Sequence, residues 1–250
     1  MPANRDRPRI DVLLVERGLC PSRQRAQALI MAGRVLVDDR PVDKPGTRVA
    51  AGARLRLRGV DHPYVSRGGV KLAGALDDLD VAVAGLVALD AGASTGGFTD
   101  CLLQRGAARV HAVDVGRGQL HEKLRRDGRV IVHDRTNLRH LEPAALGEAV
   151  DLATLDLSFI SLRLVLGPVA ALLRPGGRIL ALVKPQFELE REKVGKGGIV
   201  RDDGLRRQAL ERVAGHARGL GLRELGRADS RLSGADGNRE MFLLLEKSAG

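Results

Sequence analysis

Asp90-Ala91-Gly92-Ala93-Ser94-Thr95-Gly96-Gly97-Phe98 is the stretch on which the fold of this chain turns. It follows the apolar run Val87 to Asp90 and precedes a helical pattern from Thr99 to Arg105, so it reads as a strand-to-helix turn. Its glycines permit close backbone approach by a ligand. The spacing is not that of the GxGxxG dinucleotide fingerprint.

Outward from this turn, strand-like runs at Val110 to Val113, Val130 to Val132, Leu152 to Leu155 and Ile179 to Val183 alternate with helical stretches at Gln119 to Arg126, Ser161 to Leu173 and Leu205 to Arg218. Such alternation predicts an α/β fold with a parallel sheet covered by helices on both faces. A last pair, Leu222 to Ala228 and Glu240 to Glu246, completes the sheet.

In open sheets of this kind the ligand lies beyond the carboxyl ends of the strands. Asp114 follows the second strand, about where an acid bonds a nucleoside ribose, and Asp134 follows the third. The turn and these two acids together point to an adenosine-containing cofactor. Asp90 beside the turn favours a cationic ligand over a pyrophosphate, hence S-adenosylmethionine over a dinucleotide. A glycine turn kept only for packing is the alternative. Asp156 and Lys184 close two further strands, and Pro185 disfavours the helical region for Lys184, which should project extended from the sheet. A strand-end acid beside a strand-end lysine is a candidate acid–base pair near the cofactor. Glu240 opens the last strand, and Lys71 begins the helix after Arg67-Gly68-Gly69. Read singly, each is a solvated charge.

The first 59 residues differ in character. They carry 13 Lys and Arg against 6 Asp and Glu, whereas the rest of the chain has 28 against 25, so the net charge of +10 is concentrated at one end. A short helix from Asp11 to Glu16 ends at Gly18, and Ser22 caps a second from Arg23 to Met31. Strand-like Val35 to Val37, an Asp38-Asp39 turn, a crossing from Pro41 to Pro45 and the alternating Arg54 to Arg58 follow. Arg23 and Arg25 flank the start of the second helix, where the helix dipole adds to their attraction for phosphate. A solvated basic face is the plain alternative. Aromatic residues are 2% of the chain and Trp is absent, which argues against an aromatic platform for single strands.

Cys20 and Cys101 belong to no metal-spaced cluster and the six histidines form no HExxH pattern, so no metal is expected. Both cysteines read as small core residues. Arg5, Arg7 and Arg9 are followed by no apolar leader, and no run approaches a membrane span, which predicts a soluble protein in a reducing, cytoplasmic setting without membrane contact.

Two resemblances sharpen this. Gly18-Leu19, Ser22-Arg23, Ala26, Leu29-Ile30, Gly33, Val35, Val37-Asp38, Val42 and Lys44-Pro45 resemble the RNA-binding domain of the ribosomal protein S-four type. Lys71, Asp156, Lys184 and Glu240 resemble the catalytic tetrad of FtsJ-type RNA ribose 2′-O-methyltransferases. Together with Ser66 to Lys71, Asp90 to Phe98, Asp156 to Ser161, Val183 to Glu188 and Gly237 to Glu240, the chain from Arg9 to Glu246 is similar to the TlyA family, also labelled hemolysin A, of ribosomal RNA cytidine 2′-O-methyltransferases.

The resemblance implies a small α+β RNA-binding domain over residues 1–59, a linker over 60–65, and over 66–250 a Rossmann-like methyltransferase domain with a mostly parallel seven-stranded sheet. It implies methylation of 16S or 23S ribosomal RNA, or both, within ribosomal subunits, with S-adenosylmethionine as cofactor. The cofactor would be held by Asp90, Gly92, Ser94, Thr95, Gly96, Gly97, Phe98, Asp114 and Asp134, and the RNA by Arg23, Arg25 and Arg67. Lys184 is the candidate base, oriented by Asp156, with Lys71 as a neighbouring cation and Glu240 orienting Lys71 or contacting the ribose. A free lysine titrates near pKa ~10.4, so a base role needs burial or a cationic neighbour. Only four residues follow Glu246, so the C-terminal extension of broader-substrate members is expected to be short or absent. The loop 190–203 is either a lid over RNA or a surface loop. A noncatalytic ribosome-assembly factor and a membrane-lytic protein are the competing readings; the filled tetrad speaks against the first, and the lack of an export signal or a long apolar span against the second.

Overall fold

The computed structural model describes residues 7–20, 22–58, 62–234 and 237–248. The chain divides into two compact units, residues 1–63 and 64–250.

In the first unit, helices α1 (Ile10–Glu16) and α2 (Arg23–Met31) precede strands β1 (Val35–Val37), β2 (Arg40–Val42) and β3 (Leu55–Leu57). Ser22 Oγ accepts the Arg25 backbone N–H at 3.2 Å and caps α2, leaving Ile30 and Leu29 to pack on Ile10, Leu14 and Val35. The strands form an antiparallel sheet in the order β2-β1-β3. Asp38 and Asp39 turn β1 into β2 with φ of 47° and 65°, the left-handed pair that suits a tight hairpin. The expected crossing after Pro41 is thus partly a strand, with Pro41 opposite Leu36. Proline is tolerated there because β2 is an edge. Arg54, just before β3, and Arg56 on it face outward as the alternation requires, and both are held by Asp39.

In the second unit, α3 (Arg67–Asp78), β4 (Val87–Ala91), α4 (Gly97–Gln104), β5 (Arg109–Val113), α5 (Glu122–Arg125), β6 (Val130–His133), α6 (Pro143–Leu146), β7 (Val150–Leu155), α7 (Leu166–Leu172), β8 (Leu173–Val183), α8 (Pro185–Glu188), α9 (Asp203–Gly219), β9 (Leu222–Asp229) and β10 (Met241–Lys247) alternate as expected. The seven strands lie in the order β6-β5-β4-β7-β8-β10-β9. All neighbouring pairs from β6 to β8 are parallel, and β10 runs antiparallel to both β8 and β9. Alternate strand residues feed two cores. Leu89, Ala153 and Ile179 pack with Val169, Val213 and Ala214 on one face, while Ala88, Leu152 and Leu180 pack with Leu72, Leu76 and Leu102 on the other.

Two expectations shift. The helical stretch Ser161 to Leu173 breaks into a 3-10 turn at Leu162–Leu164 and α7, because Pro168 cannot donate to a preceding carbonyl and is tolerated only in a first turn. The linker expected over 60–65 is shorter, since Tyr64 and Val65 belong to the second unit. Tyr64 packs there against a core, and the Val65 N–H donates to Asp100 at 2.8 Å. Its first residues, Val60 and Asp61, lie outside the described residues, as does Arg5. Both cysteines are buried. No helix among the described residues is long and apolar enough to cross a membrane.

Candidate active site

Strand order reverses between β5-β4 and β4-β7, and a crevice opens at the carboxyl ends there. Its floor is the glycine turn. Gly92 has φ +85°, and a Cβ on it would lie 2.7 Å from the Asp156 carbonyl oxygen, so only glycine lets β4 and β7 approach this closely. Ser94, in a left-handed conformation, donates its N–H to Asp114 Oδ2 at 2.8 Å, and the Gly116 N–H reaches Oδ1 at 2.7 Å. The Asp114 carboxylate is thereby fixed at the edge of the crevice with acceptor lone pairs to spare.

Beneath the turn, Asp90 is fully buried. Its Oδ2 accepts from the Thr99 N–H at 2.8 Å and the Thr99 hydroxyl at 2.6 Å, while Oδ1 has no partner. Burial, opposed by the Thr99 hydrogen bonds and reinforced by the Asp156 charge, pushes the carboxyl up to about 7. The fold therefore retains this proton between about pH 4 and 7 while the unfolded chain releases it. Stability should fall as pH rises through that window, by on the order of 2–4 kcal/mol once Asp90 is ionised. Asp90→Asn is expected to remove this component, measured as the difference in thermal unfolding between variant and parent at pH 5 and pH 8. An equal pH slope in the two proteins would refute it.

The crevice is a cavity of about 510 Å³. Gly92, Ser94 and Asp114 line it, with Thr136 and Asn137 after β6, and Asp156 to Ile160 after β7. Of the other cofactor candidates, Gly96, Gly97 and Phe98 are buried behind the turn and Thr95 is exposed outside the lining; the Phe98 ring stacks on Phe242. Asp134 is turned away to Arg125, at 2.6 Å, and the Gly118 N–H, which hold its carboxyl below the usual range. Thr136, Asn137 and Arg139 take the place on the wall that Asp134 was expected to occupy.

At the rim, Lys184 has the extended backbone that Pro185 requires, φ −106° and ψ 105°. Its Nζ lies 2.7 Å from Asp156 Oδ1 and donates to Ser158 Oγ at 2.9 Å. Lys71, in the first turns of α3, is paired with Glu240 at 2.5 Å, and both are buried. Glu240 thus holds Lys71, one of the two roles expected for it. Arg67, also on α3, is exposed and donates to the Ser233 carbonyl at 3.1 Å. In the first unit, Arg23 spends its Nε on Asp11, at 2.9 Å, where Arg9 and Gln27 also converge, while Arg25 is half-buried.

Three further residues were marked only by lying in segments that match the family, with no role attached. Phe159 is 91% exposed with φ +65°, on the cavity wall, its ring 5.3 Å from that of Phe187. Glu188 is buried and accepts from Ser161 Oγ at 2.6 Å and the Leu162 N–H at 2.7 Å, so α8 grips the loop that carries Asp156 and Ser158. Asn238 is also buried; it accepts from the Val200 N–H at 2.9 Å and donates to the Gly198 carbonyl at 2.8 Å. The loop 190–203 is therefore pinned to the Glu240 turn at its C-terminal end. Among the described residues no group of three or more His, Cys, Asp and Glu is placed to hold a metal.

A sheet that reverses order at a glycine turn and carries one antiparallel strand, β10, inserted beside the edge strand β9 is the framework of Rossmann-like methyltransferases, and the second unit is one of them. Residues 64–247 match the FtsJ-like methyltransferase family, and residues 8–55 match the S4 domain. TlyA of Mycobacterium tuberculosis, a 16S/23S rRNA (cytidine-2′-O)-methyltransferase, is 50% identical over 240 residues, covering 96% of this chain and 90% of the relative. Hemolysin A of Brachyspira hyodysenteriae is 37% identical, covering 93% and 97%. The solved structure of a Streptococcus thermophilus protein assigned as a hemolysin aligns with a TM-score of 0.77 at 43% identity, over 97% of this chain and 89% of that one. The chain belongs to the TlyA, or hemolysin A, family of methyltransferases, an S4 domain joined to an FtsJ-like domain.

Proposed function

We propose that this protein transfers the methyl group of S-adenosylmethionine to the ribose 2′-hydroxyl of a cytidine in ribosomal RNA within ribosomal subunits. The observation that carries the reading is the Lys184–Asp156 pair at the rim of the crevice where the sheet reverses. The 50% identical relative acts on 16S and 23S RNA at a cytidine 2′-oxygen, which supports the substrate assignment.

The residues present fit the cofactor. A cavity of about 510 Å³ lies within the range for small-ligand sites, roughly 300–1,000 Å³. Val115, Leu138 and Ile160 offer an apolar slot for a base, and the backbone-held Asp114 carboxylate suits the two ribose hydroxyls. Asp156, on the cavity wall, would place a carboxylate near the positively charged sulfur of a bound cofactor. When bound, the cofactor supplies a methyl group activated by positively charged sulfur.

The protein's own part is positioning and proton transfer. Asp156 and Ser158 hold the Lys184 Nζ at the rim, where the amine, after giving its extra proton to solvent, takes the proton of the 2′-hydroxyl as that oxygen attacks. Glu188 keeps the loop bearing Asp156 and Ser158 against α8, immediately after Lys184. The exposed Phe159 ring offers a stacking face for a base beside the reacting ribose. The S4 unit grips folded RNA through α2. Arg23→Gln combined with Arg25→Gln is expected to weaken RNA binding and lower the slope of log affinity against log salt by about one to two. Filter binding across a salt series checks this, and an unchanged slope would remove the start of α2 from the interface.

The function itself is tested by incubating the protein with radiolabelled S-adenosylmethionine and, separately, unmodified small and large ribosomal subunits. Label in the RNA of either subunit is expected and shows the substrate breadth. No transfer to either, with cofactor bound, would leave a binding role instead.

A further inference from the structure

A second cleft, of about 480 Å³, lies beside the turn that carries Glu240. Ile199, Val200, Arg201, Asp203, Arg206, Gly237 and Arg239 line it, so three of its seven lining residues are arginines and one is acidic. The single carboxylate, Asp203, is already paired with Arg206. The Arg206 guanidinium also donates to the carbonyls of Val200, at 3.0 Å, and Arg201, at 2.8 Å. Arg206 is therefore a wall of the cleft rather than an arm into it, and buried accordingly. Arg201 and Arg239 are exposed. Two guanidiniums thus share one concavity whose own carboxylate is spent elsewhere, a charge arrangement that an anion would neutralise.

The backbone under both arms is fastened by buried polar groups. Arg206 holds the Arg201 carbonyl, and Asn238, next to Arg239 in the chain, holds both Gly198 and Val200. Positions fixed in this way are preorganised for binding rather than ordered on contact. Arg239 is followed directly by Glu240, whose carboxylate holds Lys71. The cleft is therefore one residue from the catalytic machinery.

We propose that Arg201 and Arg239 form a phosphate-binding subsite for the RNA backbone, engaging a phosphodiester close to the nucleotide being methylated. The proposal rests on the reading of RNA as substrate. An acceptor ribose is flanked by a phosphodiester on each side, so an anion must lie close to any site that holds the ribose. The planar guanidinium matches phosphate oxygens in a bidentate manner, which a solvated ammonium does not. At the start of α9, Asp202 takes the Leu205 N–H at 2.8 Å, so the arginines and not that backbone donor carry the subsite.

The test uses the full chain with Arg201→Gln and Arg239→Gln together, against a control, Arg174→Gln with Arg223→Gln, that removes the same charge from two other exposed positions. Binding of a ribosomal RNA transcript is measured by filter retention from low to moderate salt, S-adenosylmethionine binding by calorimetry, and methyl transfer to subunits as a KM for RNA. The cleft variant should raise that KM roughly tenfold and lower the salt slope by about two, with cofactor affinity retained and the control close to the parent. Arg201→Lys with Arg239→Lys should keep the salt slope yet recover only part of the KM. A cleft variant indistinguishable from the parent, or a control that falls equally, overturns the subsite. Failure of the parent protein to transfer methyl to any RNA would overturn the methyltransferase reading instead, and the salt slopes would still decide whether the cleft binds RNA.

Discussion

Lys184→Ala is expected to lower methyl transfer by roughly 10²- to 10⁴-fold, the range for a positioned proton acceptor, with binding of S-adenosylmethionine within about threefold of the parent. The asymmetry follows from where the side chain lies. Lys184 is held at the rim by Asp156, at 2.7 Å, and Ser158, and it does not line the cavity walls that would hold the cofactor. Single-turnover transfer with the cofactor preloaded measures the first quantity, and calorimetry the second. Turnover within a few fold of the parent would remove Lys184 as proton acceptor and leave Asp156 as the next candidate.

The second large effect concerns the buried pair. Removing one partner of a buried ion pair typically costs about 3–5 kcal/mol, because the other charge is left in an apolar surrounding without compensation. Glu240→Leu alone should therefore destabilise the protein by about that much, leaving Lys71 without its carboxylate. Lys71→Met with Glu240→Leu should recover most of the stability, since apolar residues of similar volume often replace a buried pair without loss. Methyl transfer should stay lost in the double variant. Chemical denaturation checks the stabilities. A double variant that regains both stability and turnover would make the pair a structural strut with no part in the chemistry.

How far the site could be read in advance depended on whether a residue's meaning was local. Lys184 was legible because Pro185 restricts its backbone, and Asp114 because its distance from Gly92 matches a strand-helix-strand unit. Asp156 was legible as the polar end of an apolar run. The pairing of Lys71 with Glu240 joins residues 169 positions apart; no local pattern marks it, and only the family resemblance offered it as one of two roles for Glu240. Phe159 carries no local sign of exposure; its positive φ and its place on the cavity wall arise from the loop that Glu188 clamps. Asp134 was misplaced for the opposite reason. Its position after β6 looked right, but Arg125 on the preceding helix captures its carboxylate.

The same holds for the fold. Strand alternation gave the sheet, because each strand's two faces must meet different cores. The break before α7 was hidden because the apolar period runs through it, and only the missing N–H of Pro168 interrupts the helix. The short edge strand β2 overlaps the crossing expected from Pro41 to Pro45, and a proline is a general argument against a strand. That argument holds for a central strand and fails at an edge.

Transfer of methyl to a ribose oxygen is read out by mass spectrometry of nucleosides from ribosomal RNA incubated with the protein and S-adenosylmethionine, after complete enzymatic digestion. A gain of 2′-O-methylcytidine is expected, absent with Lys184→Ala. Methyl groups on a base, or on protein with none on RNA, would contradict it.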